Sequence, residues 1–100
     1  MLDTQSALRV LANADQRRAL ELVTTAEISS GEVAETCGWT RVTTSRNLRA
    51  PRDARLVVVR VDGNRRLYRA NQENLRRLRA FLDDFWSTRL GILADEVTRP

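Results

Sequence analysis

Residues 30–56 read SGEVAETCGWTRVTTSRNLRAPRDARL, and the rest of the chain is arranged around them. The stretch spells two short helices with a tight turn between. Ser30 is a good N-cap, and Glu32 and Glu35 suit a helix N-terminus that is partially positive. Val33, Ala34 and Cys37 give this helix a small apolar face. Gly38 stops it, because glycine enters the left-handed conformation cheaply. Thr40 then caps a second helix that opens with Arg41-Val42-Thr43-Thr44-Ser45-Arg46 and has few apolar anchors, Leu48 above all. A helix built only for a core does not spend two turns on hydroxyls and guanidinium groups. One that lays its N-terminal end in a DNA major groove does, since those groups meet phosphates and base edges there. The competing reading is an ordinary helical hairpin with a solvated face. Trp39, in the turn, packs that turn onto the core, and Cys37 reads as a small buried residue.

Charge sharpens the choice. The net charge is +4 and every cation is an arginine, with no lysine or histidine. Residues 41–79 hold twelve arginines against Asp53, Asp62 and Glu73, a local net of +9, and the remainder nets −5. A basic middle between acidic ends is the footprint of a protein that meets a polyanion. Arginine also suits bidentate contact with phosphate and guanine. Enzymatic function is excluded on different grounds. The sequence offers no histidine, no nucleophile–base set and no glycine-rich phosphate loop. With 42% apolar residues and a mean hydropathy of −0.42, the chain is expected to fold as one domain, 1–100, in the cytoplasm. No signal peptide is visible, and the run Leu56-Val57-Val58-Val59 is far too short to span a bilayer. A single cysteine leaves no internal disulfide.

Upstream, Ala7, Leu8 and Leu11 keep helical spacing behind Asp3 or Thr4 as cap. Asn13-Ala14-Asp15 breaks that helix and caps a second over Gln16–Thr24, with Ala19, Leu20 and Val23 facing inward. Thr25–Ser29 reads as a connector. Pro51 falls near the end of the second motif helix and predicts a kink or a stop by about Ala50, with Arg52–Arg55 as a distorted further turn. The period then changes to two. Over Leu56–Ala70, Val57, Val59 and Val61 share a face, and Asp62-Gly63 or Gly63-Asn64 makes the turn of a β-hairpin decorated by Arg60, Arg65, Arg66 and Arg69. A basic ribbon directly after such a helix pair is a wing, whose tip reaches phosphates or the minor groove. Asn71 caps a last helix expected to run to about Val97. Its stripe of Leu75, Leu78, Phe81, Leu82, Phe85, Trp86, Leu90, Leu93 and Val97 extends for about 35 Å. A domain this small has too little core to cover the stripe, so a second copy is the simplest cover.

The order of helix, helix, helix-turn-helix, hairpin and long helix resembles the ArsR/SmtB family of winged helix-turn-helix repressors. The pieces that carry the resemblance are LRVLANADQRRALELV, EISSGEVAETC, LRRLRAFLDDFW and, most specifically, TTSRNL followed by RDARLV and GNRRLYR. The resemblance covers roughly residues 7–94. It implies a mainly α fold of five helices plus wing, with the helix-turn-helix at about 30–50, the wing at about 56–70 and a dimerisation helix at about 72–97. It also implies a homodimer joined through the first and last helices, at Leu8, Leu11, Leu78, Leu82, Phe85, Trp86, Leu90 and Leu93. Double-stranded DNA with an imperfect inverted repeat is the implied partner, and promoter blocking the implied mode of repression.

The residues expected to touch DNA are Thr40, Arg41, Val42, Ser45, Arg46, Asn47, Arg49, Arg65 and Arg66. Val42 packs a thymine methyl, and Asn47 stands where the family commonly has histidine and is able to bond an adenine edge. Other departures are Pro51 for a usual leucine and Arg55 for a usual glycine. Metal-sensing relatives place a cysteine pair where Ser29 and Gly31 stand here, or carboxylate–histidine pairs on the last helix. This chain has only Asp83, Asp84, Asp95 and Glu96 there, a hard and weak set for zinc, nickel or copper. No metal and no cofactor is therefore expected. The alternatives are a winged-helix module that binds an acidic protein, or a metal- or redox-responsive member of the same family, the latter through Cys37.

Overall fold

The computed structural model describes residues 1–91. Five helices and a three-stranded antiparallel sheet form a winged helix-turn-helix: α1 Thr4–Ala12, α2 Ala14–Thr25, β1 Ile28–Ser29, α3 Ser30–Cys37, α4 Arg41–Asp53, β2 Val57–Asp62, β3 Arg65–Ala70 and α5 Gln72–Asp84. The sheet order is β1-β3-β2. One cluster of side chains gathers all the helices: Ala7 and Val10 from α1, Ala19, Leu20 and Val23 from α2, Val33 from α3, Leu48 from α4 and Leu78 from α5. Leu56, Val57 and Tyr68 bring the root of the wing into the same core.

Polar side chains set the helix ends. Asp3 caps α1 by accepting from the Ser6 N–H at 3.2 Å. Asn13 ends α1 and caps α2, its side chain accepting from the Gln16 N–H at 2.9 Å. Arg17 donates to the Leu11 carbonyl at the same junction. At α3 the cap is Ser29, one residue before the expected Ser30. The Glu32 N–H donates to Ser29 Oγ (3.2 Å) and the Ser29 N–H donates to Glu32 Oε1 (3.0 Å), a reciprocal capping box. Gly38 closes α3 at φ 70°, and Thr40 caps α4 by accepting from the Thr43 N–H at 3.1 Å. Trp39 packs half-buried against the core, as the turn requires, and Cys37 is half-buried beside it.

The segment read as a connector contains a strand. Ile28 pairs with Tyr68 and Ser29 with Leu67, which ties α3 directly to the wing. Two residues are too few to show a period, so the sequence carried no signal for it. In the hairpin, Val57 faces Ala70, Val59 faces Tyr68 and Asp62 faces Arg65, leaving Gly63-Asn64 as the turn. Gly63 has φ 64° while Asn64 stays at negative φ, the pattern of a II′ turn that matches strand twist. Along β2, burial fades from Val57 through half-buried Val58 and Val59 to exposed Arg60, Val61 and Asp62. The expected inward face therefore fails at Val61, because the hairpin projects past the helices that would cover it.

Pro51 does not end α4 at Ala50; the helix continues to Asp53. Pro51 lies in its last turn, where the missing N–H removes only the bond to the Asn47 carbonyl, and its ring is buried in the interior. The stop comes at Arg55, which adopts φ 66°. The Leu56 N–H donates to the Pro51 carbonyl and the Arg55 N–H to the Arg52 carbonyl, both at 2.9 Å, forming a Schellman motif with arginine at the usual glycine position. The Asn74 side chain donates to the Arg55 carbonyl at 2.7 Å, and the Asn71 N–H to the Leu56 carbonyl at 2.8 Å. This corner fixes where α5 begins. Asn71 caps α5 as expected, but the regular α-helix ends at Asp84. It passes into a π turn, Phe85–Arg89, and Gly91 takes φ 68°. The Ser87 hydroxyl donates to the Asp83 carbonyl at 2.7 Å and competes there with the helical ladder. Leu93, Asp95, Glu96 and Val97 lie outside the described residues.

A side chain in the left-handed region costs about 1 kcal/mol or more. Arg55→Gly should therefore stabilise the fold by about 1 kcal/mol, seen as a higher urea midpoint at unchanged m-value. An unchanged or lower midpoint would mean the corner stores no strain.

Candidate nucleic-acid interface

The helical period divides α4 into two rows. Thr44, Asn47, Leu48 and Pro51 point inward and are buried. Arg41, Val42, Ser45, Arg46 and Arg49 point outward and line one shallow groove. Thr40, exposed at the head of the helix, fixes the first turn through its hydroxyl contact with Thr43 at 3.0 Å. The inward row corrects one expectation. Asn47 is only 6% exposed, so it is a core residue of the motif and is withdrawn from the contact set. The step of three residues from Thr44 puts it on the buried side. Val42 goes the other way: a β-branched apolar residue 67% exposed between two arginines. No core demand explains that placement.

A cleft of about 680 Å³ separates α4 from the wing. Arg41, Thr44 and Ser45 form one wall, Asn64, Arg65 and Arg66 the other, and Ser30 and Gly31 of α3 also border it. Three arginines from two elements thus face one concave surface, which focuses a positive field on it. Four of the lining residues, Arg41, Ser45, Arg65 and Arg66, were legible as candidates from composition and position. The cleft itself was not, since it depends on how β1 docks α3 against β3.

Two wing arginines carry ion pairs that sequence reading missed, each with an acid 33 residues away. Arg60 makes a bidentate pair with Glu27, Nε to Oε2 and Nη2 to Oε1, both at 2.8 Å. Arg65 Nη2 donates to Glu32 Oε1 at 3.1 Å, on the carboxylate that also closes the capping box. The hydrogen bond from Arg60 holds the Glu27 carboxyl below its ordinary pKa, and the same contact raises Arg60 above its own. Glu32 is lowered chiefly by its bonds from Ser29 and then by Arg65. No ion pair involves Arg41, Arg46, Arg49 or Arg66 among the described residues.

The expected self-association surface divides along α5. Leu78 is 4% exposed and belongs to the protomer's own core, so it is withdrawn from that surface. Its place in the stripe could not show that the first turns of α5 are already covered. Phe81, Leu82, Phe85, Trp86 and Leu90 are exposed, with the Phe81 and Phe85 rings stacked at 6.2 Å. Leu8 and Leu11 are half-buried on α1.

No family model matches the chain. The HTH-type transcriptional regulator Rv2034 of Mycobacterium tuberculosis is 33% identical over 84 residues, which are 84% of this chain and 78% of that protein. The chain belongs to the ArsR family of winged helix-turn-helix transcriptional regulators. Solved structures agree with this regulator's fold. A possible transcriptional regulator for arsenical resistance is 34% identical, with TM-score 0.74 over 99% of this chain and 100% of its own. The homodimeric DNA-binding domain of Mb0332 from Mycobacterium bovis, a possible ArsR-family regulator, is 30% identical with TM-score 0.70 over 81% of this chain and 75% of its own. These relatives are regulators and not enzymes. No helix among the regulator's described residues is long and apolar enough to cross a membrane.

The Glu27–Arg60 pair gives the regulator an acid-sensitive term. A carboxyl whose folded pKa is depressed stabilises fully above its unfolded value and loses that contribution as pH falls through the folded value. Arg60 stays charged throughout, so the acid limb belongs to Glu27. Between about pH 5 and pH 3, the wild-type urea midpoint should fall more steeply than that of Glu27→Gln. Parallel curves would remove the pair from the stability balance.

Proposed function

We propose that this regulator is a cytoplasmic homodimer that binds an imperfect inverted repeat in double-stranded DNA and represses by occupying the promoter. It does so as a single winged helix-turn-helix domain without the family's cysteine or histidine metal ligands. The observation that carries the reading is the outward row of α4, where arginines and small hydroxyls surround an exposed valine that no core requires. In this reading Thr40, Arg41, Val42, Ser45 and Arg46 reach base edges or the adjacent phosphates, and Arg49, Arg65 and Arg66 neutralise phosphate. The exposed apolar residues Phe81, Leu82, Phe85, Trp86 and Leu90 meet their copies across a two-fold axis, together with Leu8 and Leu11. Five large apolar side chains in a row are otherwise a liability in water.

Fluorescence anisotropy on a duplex from the upstream region, beside a scrambled duplex, tests this at two salt concentrations with and without added metal ions. Preference for the native duplex, a log–log salt slope of about −0.9 per neutralised phosphate and indifference to metal support it. Equal, weak binding to both duplexes overturns it, and release by one metal overturns its metal-free part.

Arg41→Ala should cost roughly 1–3 kcal/mol on the preferred duplex and relax sequence preference. Uniform weakening on all duplexes would reduce Arg41 to a phosphate contact. Leu82→Glu should halve the mass read by light scattering, whereas an unchanged mass would remove α5 from the interface.

A further inference from the structure

The wing carries two adjacent arginines at its tip, where the return strand begins, and their surroundings differ. Arg66 faces the cleft with no acidic partner among the described residues. Arg65 reaches across to α3 and bonds Glu32. Glu32 is not a loose surface carboxylate. The Ser29 N–H and Ser29 hydroxyl donate to its Oε1 at 3.0 and 2.9 Å, and Arg65 donates to that same oxygen. Its position is therefore set by the helix cap, and β1 fixes that cap against the wing through the pairing of Ser29 with Leu67.

We propose that Glu32 is a positioning residue that restrains Arg65, so that of the two wing arginines assigned to phosphate above, only Arg66 neutralises one and Arg65 is held back. The inference rests on the DNA-binding reading above. A phosphate that approaches Arg65 must compete with a carboxylate already bonded to it, and Glu32 adds a negative charge beside the cleft that opposes the approach. Arg66 meets no such competitor. The restraint sets affinity and salt sensitivity without touching a base, so it leaves sequence preference unchanged. The same contact explains why Glu32 serves two tasks at once. Its backbone bond to Ser29 keeps α3 capped, and its charge holds the wing arginine.

The two tasks separate chemically. Glutamine completes a capping box as glutamate does, so Glu32→Gln keeps the fold while removing the charge. The experiment compares wild type, E32Q, R65A, R66A and E32Q/R65A by anisotropy on the preferred and scrambled duplexes across a salt series, with urea midpoints as a check on folding. E32Q should bind about three- to tenfold more tightly at low salt, with a log–log slope steeper by about 0.9 per protomer engaged. R65A alone should leave the wild-type slope nearly unchanged, and R66A should flatten it by about 0.9 per protomer. In the R65A background, E32Q should have no effect on the slope. A full effect of E32Q without Arg65 overturns the proposal, since Glu32 would then act only through its general field. So does an R65A variant that flattens the slope as much as R66A does, because Arg65 would already be on the phosphate. If wild type shows no preference for the native duplex, the DNA-binding reading itself fails. If wild type shows that preference and E32Q leaves the slope unchanged, only the role of Glu32 fails.

Discussion

Between the last turn of α4 and the first turn of α5, three backbone groups of Arg55 and Leu56 are gripped from several sides. The Leu56 N–H is held by the Pro51 carbonyl, the Arg55 carbonyl by the buried Asn74 amide, and the Leu56 carbonyl by the Asn71 N–H. Everything the regulator presents is oriented through this corner. The outward row of α4 leaves it in one direction, the wing starts from it at Val57, and α5 departs from its far side. Asn74 is 3% exposed, and loss of its amide would remove the Arg55 carbonyl's side-chain hydrogen bond at a cost of about 1 kcal/mol. An arginine in the left-handed position persists because these contacts over-determine it.

Electrostatics is organised around the same frame. The basic segment is not uniformly free charge. Arg60 and Arg65 are spent on Glu27 and Glu32, and Arg76 and Arg77 lie against Glu73 on α5. Such exposed pairs contribute little to stability individually. Their effect is to edit the field, and the arginines of α4 and Arg66 keep no acid partner among the described residues. Net charge read along the sequence overstates the positive surface for this reason.

Much of the fold was legible because its signals are local. Asn13, Gly38, Thr40 and Asn71 mark helix ends by their own side-chain chemistry, and the Gly63-Asn64 turn marks the hairpin. The misreadings share another cause. β1 is defined only by its partner strand, Asn47 and Leu78 by what packs over them, and Pro51 by the core that accepts its ring. Each depends on contacts distant in sequence. The candidate interface divides the same way: the identity of Arg41, Val42, Ser45, Arg46 and Arg49 was readable from the unusual opening of α4, while the pairing of Arg65 with Glu32 required the folded chain.

The fading burial along β2 has a consequence for how this regulator can change over generations. At the root of the wing, Val57 and Ala70 belong to the interior, and any substitution there is felt by the whole fold. At the tip, Val61, Asp62, Asn64 and Arg66 are all exposed and support no other part of the chain. Exposed substitutions of this kind usually shift stability by about half a kcal/mol or less. Mutations at the tip are thus filtered by what the wing touches and hardly at all by folding. A lineage can retune that contact repeatedly while the scaffold that aims it stays still.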